Sequence, residues 1–192
     1  MIRIAVVGNI GSGKTHISKL FGYPVFNADA EVVKLYRKNR KCYRKLKKIL
    51  PNYIKSFPVK KSELLKAIIV SSYNLKKIVK IVHPEVRNKL NIFNKKNRNK
   101  KFVVLDIPLL IENKINKKND ILIFVDAAKK EINKRLEKRP NINLKVIKKF
   151  KKFQLPVEIK KKKSNYVIKN NFTNNSAKKS VKRIMEKILL YA

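Results

Sequence analysis

Three of the chain's four glycines fall within six residues, in the run Gly8-Asn9-Ile10-Gly11-Ser12-Gly13-Lys14-Thr15. The run matches G-x-x-x-x-G-K-S/T, a loop whose backbone N–H groups converge on phosphate oxygens. Glycine permits that convergence because no Cβ stands in the way. Gly8, Gly11, Ser12 and Gly13 are therefore expected to cradle the phosphates of ATP. Lys14 is expected to reach the β- and γ-phosphates, and Thr15 to offer its hydroxyl to Mg²⁺. His16 is read as the start of the helix behind the loop, whose N-terminal dipole adds to the anion site, and is counted with the loop among the residues expected to bind ATP.

Aspartate is as scarce as glycine: Asp29, Asp106, Asp120 and Asp126 are the whole set. Such scarcity lends weight to position. In parallel α/β sheets ligands lie outside the carboxyl ends of strands. Asp29 follows a strand candidate by two residues, and Asp106 ends another. A carboxylate there can take the proton of an attacking hydroxyl or hold a metal ion. Asp29 is assigned the base role, with a helix N-cap as its alternative. Asp106 is assigned to Mg²⁺ or to the acceptor, with a turn before Pro108 as its alternative.

Arginine is the selective cation here, 9 against 41 lysines. Its planar fork grips phosphate in a bidentate way. Arg135 and Arg139 lie four apart on one helical face just before a break at 140–143. That placement suits a lid closing over ATP, or two solvated helix residues. Arg87 follows His83-Pro84 by a turn and suits an acceptor phosphate. His83 on its own reads more simply as satisfying backbone groups at a proline kink.

These residues need strands and helices to hold them. Short apolar runs at Ile2–Val7, Pro24–Asn27, Phe102–Leu105, Ile121–Val125 and Tyr166–Ile168 predict five buried strands. Helices are predicted over Thr15–Phe21, Ala30–Tyr36, Tyr43–Leu50, Leu75–Val82, Ala128–Lys138 and Leu144–Phe153. Two more begin at Ser62, as N-cap, and at Ser176. Proline is expected to break or kink the helix at His83-Pro84 and to stop another near Pro140. Strands alternating with helices give a mainly parallel sheet flanked by helices.

Composition bounds the rest. The 192 residues suit one domain with a lid segment, and 44% hydrophobic residues supply a core. The net charge of +38, from 50 Lys plus Arg against 12 Asp plus Glu, attracts polyanions. The excess reads mostly as a bias toward Lys, Asn and Ile, and Lys160–Lys163 as a solvated charge run. A single cysteine, Cys42, excludes an internal disulfide and suits a reducing compartment. With no signal peptide and no membrane-length apolar stretch, a cytoplasmic protein without a membrane partner is expected.

Together the motifs resemble the dephospho-CoA kinase family. Phe26-Asn27-Ala28-Asp29-Ala30 resembles its I-D-A-D segment, and His83-Pro84-Glu85-Val86-Arg87 its H-P-x-V-R element. Val103 to Glu112 resembles V-V-L-D-I-P-L-L-F-E. Arg135 and Arg139 match its paired lid arginines. Gln154-Leu155-Pro156 with Lys160 resembles Q-x-P-x-x-x-K, and Tyr166 to Asn170 resembles F-V-I-D-N.

The resemblance spans nearly the whole chain. It implies a P-loop kinase fold: a parallel five-stranded core (about 1–30, 100–138 and 164–192), a helical CoA-binding part (about 31–99) and a lid (about 139–163). It implies transfer from ATP to the ribose 3′-hydroxyl of dephospho-CoA. Lys14, Asp29 and Arg139 would be catalytic, and Asp29, His83, Arg87, Asp106, Pro108 and Leu109 would bind the acceptor. The chain departs from the pattern at Asn27, where the family usually has Asp, at Asn9, where Gly is common, and at Ile132, where Gln often stands.

Two rival readings share the loop: another small-molecule or nucleoside-monophosphate kinase, or a basic nucleic-acid-binding ATPase. No specific nucleic acid is expected, since the Tyr and Phe residues fall mostly in apolar runs. A monomer is expected, with an oligomer left open.

Overall fold

The computed structural model describes residues 1–138 and 143–190. Arg139 and the expected helix stop near Pro140 lie outside the described residues. The chain divides into two compact units: Met1–Asn27, Asn97–Ile142 and Lys151–Ala192 form one, and Ala28–Lys96 with Asn143–Phe150 forms the other.

The first unit is built on a sheet of five strands. These are β1 (Ile2–Gly8), β2 (Val25–Asn27), β3 (Phe102–Asp106), β4 (Ile121–Asp126) and β5 (Tyr166–Lys169). Their order is β2-β3-β1-β4-β5, and every pairing is parallel. The register sets Ile4 against Val104 and Ile121, and Asn27 against Asp106. Alternate residues Ile4, Val6, Phe102, Val104, Ile123, Val125 and Ile168 face one core. They meet Ile17 of α1 (Lys14–Leu20) and Ala177, Val181, Ile184 and Ile188 of α9 (Asn174–Leu190). The intervening Ala5, Val103, Leu105 and Phe124 are buried too. Burial on both faces explains why these strands read as continuous apolar runs rather than alternating ones. Two further helices, α6 (Lys129–Glu137) and α8 (Val157–Lys162), belong to this unit.

The second unit is helical: α2 (Ala28–Lys38), α3 (Arg40–Ile49), α4 (Lys61–Val70), α5 (Ser72–Lys96) and α7 (Leu144–Lys151, nearly all of it in this unit). Its core gathers Leu35, Cys42, Leu46, Ile54, Leu64, Ala67, Leu75, Ile78, Val82 and Val146. Asn39 caps α3 by accepting the Cys42 N–H at 2.8 Å. Burial, with Glu85 adding to it against Lys45, pushes the Cys42 thiol up to about 11, so it is an inert core residue.

Four local expectations are corrected. The helix through His83-Pro84 does not end there, since α5 runs from Ser72 to Lys96 with Pro84 inside it. Pro84 removes one backbone donor, but Leu75, Ile78, Val82 and Leu90 bury at helical spacing on either side. Ser62 is not a cap: Lys60 holds that position, and Glu63 Oε2 accepts the Lys60 N–H at 3.3 Å. The last helix opens at Asn174, two residues before Ser176. Lys160 is no part of a solvated face, with only 2% of its surface exposed. Among the described residues no helix is long and apolar enough to cross a membrane.

Candidate active site

The parallel sheet sends the ends of β1, β2, β3 and β4 out at the same edge, and the expected phosphate loop leaves β1 there. Gly8, Gly11 and Gly13 have φ of 152°, 86° and 93°. All three are positive-φ conformations that side chains resist. Space is equally restrictive. A Cβ on Gly11 would press on Ile132 Cγ2 at 3.0 Å and Leu136 Cδ2 at 3.2 Å, both on α6. One on Gly13 would strike the amide of Asn170. Ser12 is 1% exposed, and among the described residues its hydroxyl has no partner.

Lys14 begins α1, and its Nζ donates to the Asn9 carbonyl at 2.9 Å. Thr15 follows, and its hydroxyl donates to Asp106 Oδ2 at 2.6 Å. The Asn27 amide donates to the same oxygen at 2.5 Å. The register explains the meeting: Asn27 ends β2 beside Asp106, which ends β3. Asp106 is thus more than a turn residue before Pro108; it is 3% exposed and joins two strand ends to α1. A hydroxyl and a carboxylate oxygen this close are hard donors suited to Mg²⁺. No group of three or more His, Cys, Asp and Glu able to hold a metal occurs among the described residues. The protein would therefore supply one or two oxygens, leaving the rest to phosphate and water, as Mg²⁺ sites on nucleotides commonly do.

The turn after β3 carries Pro108 and Leu109, and Leu109 adopts φ 56°. A leucine side chain in that region is sterically strained. Arg135, on α6, sets its guanidinium 4.3 Å from the Phe172 ring centre. Phe172 is in turn fixed by Asn170, whose Oδ1 accepts its N–H at 3.0 Å and whose amide donates to the Ser12 carbonyl at 2.8 Å. The loop after β5 thus braces the phosphate loop and orients Arg135. His16 lies on α1, exposed, as expected of a helix-start residue.

The remaining expected site residues belong to the helical unit. Asp29 sits inside the first turn of α2, which begins at Ala28, so it is not the N-cap of a helix from Ala30. Its charge there favours the helix dipole. His83 and Arg87 lie one turn apart on α5. Burial, and then the Arg87 charge, hold the His83 imidazole below its ordinary value, so it is neutral near pH 7.

Sequence reasoning gave no site role to the side chains of Asn9, Glu112, Lys160, Asn170 or Phe172. In a chain rich in Lys and Asn, single residues of those types carry no signal. Asn170 and Glu112 were marked by their places at the end of a strand and of the D-I-P-L-L run, Lys160 by the Q-x-P-x-x-x-K resemblance and Asn9 as a departure from glycine, but none of these gave a side-chain role.

A parallel sheet, a glycine loop running into a Lys-Thr helix start, and a strand-end carboxylate bonded to that threonine define a P-loop kinase. The dephospho-CoA kinase family model matches residues 2–177. A dephospho-CoA kinase of Wolbachia from Brugia malayi is 33% identical over 97% of this chain and 98% of its own. Among solved structures, TT1252 from Thermus thermophilus superposes with a TM-score of 0.78 at 27% identity, covering 98% of this chain and 97% of that one. A dephospho-CoA kinase from Campylobacter jejuni shares the fold at 0.65 and 21% identity, covering 97% and 96%. The chain belongs to the dephospho-CoA kinase family, which phosphorylates dephospho-CoA with ATP to give coenzyme A.

Proposed function

We propose that this chain transfers the γ-phosphate of ATP to the ribose 3′-hydroxyl of dephospho-CoA in the cytoplasm, with Mg²⁺. The carrying observation is the bond network of Thr15, Asp106 and Asn27 at the carboxyl edge of the sheet, beside the glycine loop.

The roles follow from charge and position. Backbone N–H groups of Gly8 to Thr15 bind the polyphosphate, and Lys14 leaves the Asn9 carbonyl to meet the β- and γ-oxygens. Thr15 and Asp106 would hold Mg²⁺, which would supply positive charge to the phosphates. The Asn27 amide keeps Asp106 aimed, though it brings no charge of its own. Asp29 accepts the proton of the attacking hydroxyl. Arg135, held against Phe172, and Arg139 cover the nucleotide. His83 and Arg87 bind the acceptor, Arg87 through its phosphates, together with Pro108 and Leu109. The segment about 31–99 serves as the CoA-binding part and about 139–163 as the lid.

The test is to incubate the protein with Mg-ATP and dephospho-CoA and locate the added phosphate by mass and phosphorus NMR. Product phosphorylated at the 3′ position is expected. Turnover of shikimate or a nucleoside monophosphate in place of dephospho-CoA would overturn the acceptor. Asp29→Asn is expected to lower kcat about a hundredfold and KM little; an unchanged kcat reduces Asp29 to a helix-terminal charge.

A further inference from the structure

Lys160 is a buried ammonium with incomplete compensation. Its side chain is 2% exposed. Its nearest partner is neutral: Asn9 Oδ1, at 2.9 Å. The only carboxylate paired with it among the described residues, Glu112 Oε1, lies 3.8 Å away and also accepts the Leu155 N–H at 3.0 Å. A buried charge needs close opposite charge and good hydrogen bonds to be tolerated. Burial lowers the affinity of Lys160 for its proton, and Glu112 restores part of it.

Asn9 is the point of convergence. Its backbone carbonyl accepts from Lys14 Nζ, and its side-chain carbonyl accepts from Lys160 Nζ. One residue of the phosphate loop therefore holds two ammonium groups, one from α1 and one from α8. The neighbouring Lys161 ties α8 to Asp126, at the end of β4, at 2.7 Å. The helix is thus fixed with its charge turned toward the loop. A glycine at position 9 would have no side-chain oxygen to offer, so this link is written into this sequence.

We propose that Lys160 is a second cation of the phosphate site. It is a positioning residue that holds the loop through Asn9 and adds positive potential where the nucleotide's phosphates bind. The inference rests on the reading of Gly8–Thr15 as the ATP loop. It implies that nucleotide supplies the compensation that Glu112 gives only in part.

Lys160→Met, Lys160→Arg, Asn9→Gly and the Asn9→Gly/Lys160→Met double variant test this. Melting is followed with and without Mg-ATP, alongside kcat and KM for ATP. Lys160→Met is expected to melt no lower than the unmutated protein without nucleotide. It should lose most of the ATP-induced rise and show a KM for ATP higher by about tenfold. Lys160→Arg should recover much of the loss. The double variant should be little worse than Lys160→Met, because both changes cut one link. A Lys160→Met protein that melts lower alone yet gains the full ATP-induced rise would overturn the inference and make Lys160 a structural tie. Fully additive effects would overturn the route through Asn9. No ATP-induced rise in the unmutated protein would overturn the parent reading, and this inference with it.

Discussion

Asp106 and Asp120 are both buried carboxylates of the sheet unit, 3% and 8% exposed, at opposite ends of its strands. Asp120 lies at the amino end, just before β4. Arg3 Nε donates to its Oδ1 at 2.7 Å and Arg3 Nη2 to its Oδ2 at 2.5 Å, with the Lys117 N–H at 2.8 Å. Its charge is matched within the fold. Asp106, at the carboxyl end, accepts from the neutral groups of Thr15 and Asn27 on one oxygen. A carboxylate closed by a guanidinium serves stability. One joined to a hydroxyl and an amide keeps charge to offer a cation.

The comparison is sharpened first by Lys14→Ala, which should lower turnover on the order of a thousandfold through lost phosphate stabilisation, measured as coenzyme A formed. Near-normal turnover would remove the loop from the chemistry. The two aspartates then separate. Asp106→Asn should cost about a hundredfold in turnover with little change in melting. Asp120→Asn should instead lower unfolding free energy by about 3 kcal/mol in urea titration, because Arg3 is left buried without its counter-charge. The kcat of folded Asp120→Asn should be retained. A variant pair with these outcomes exchanged breaks the contrast.

Smaller effects test the helical unit. Glu63 Oε1 accepts from the Lys55 and Ser56 N–H groups, and Oε2 from that of Lys60. Partial burial works against its ionisation, but these bonds and the Ser56 hydroxyl prevail and hold its carboxyl below the usual range. Glu63→Ala should cost about 1 kcal/mol, moderated by solvent screening, with melting as the readout. That stability should fall away on acidification through the Glu63 titration.

The smallest effect is at His83. Its folded pKa lies below the ordinary 6.5, so the unfolded chain takes up a proton first as pH drops. The stability is full above about pH 6.5 and declines as pH falls toward the folded value. Melting curves from pH 7.5 to 5.5 should show that decline, and His83→Gln should flatten it.

The sheet strands and the phosphate loop were legible in the sequence because their signals are local. The apolar runs are contiguous, and the glycines stand out in a chain that has four. Asp106 was legible because aspartate is scarce and it closes a strand. The Arg3–Asp120 pair was not, since 117 residues separate the partners and neither has a motif around it. Lys160 stood first in a run of four lysines once α8 went unseen. The Q-x-P-x-x-x-K resemblance picked it out by place, but only burial shows that it faces the loop rather than solvent, and burial is a property of the packed chain. The helix through Pro84 was misread for a related reason: local propensity opposed it, and packing on both sides of the proline prevailed.

The strand order carries a consequence for how the chain is made. β1 is the first strand synthesised, yet its neighbours are residues 102–106 and 121–126. Nearly a hundred residues, including all of Ala28–Lys96, leave the ribosome before it meets a partner. Contacts so distant in sequence form slowly. The helices between, needing only Asn143–Phe150 to complete their unit, have partners of their own much sooner. The middle strand of the sheet is therefore translated at the outset and gains its first strand partner only after the whole of Ala28–Lys96 has been made.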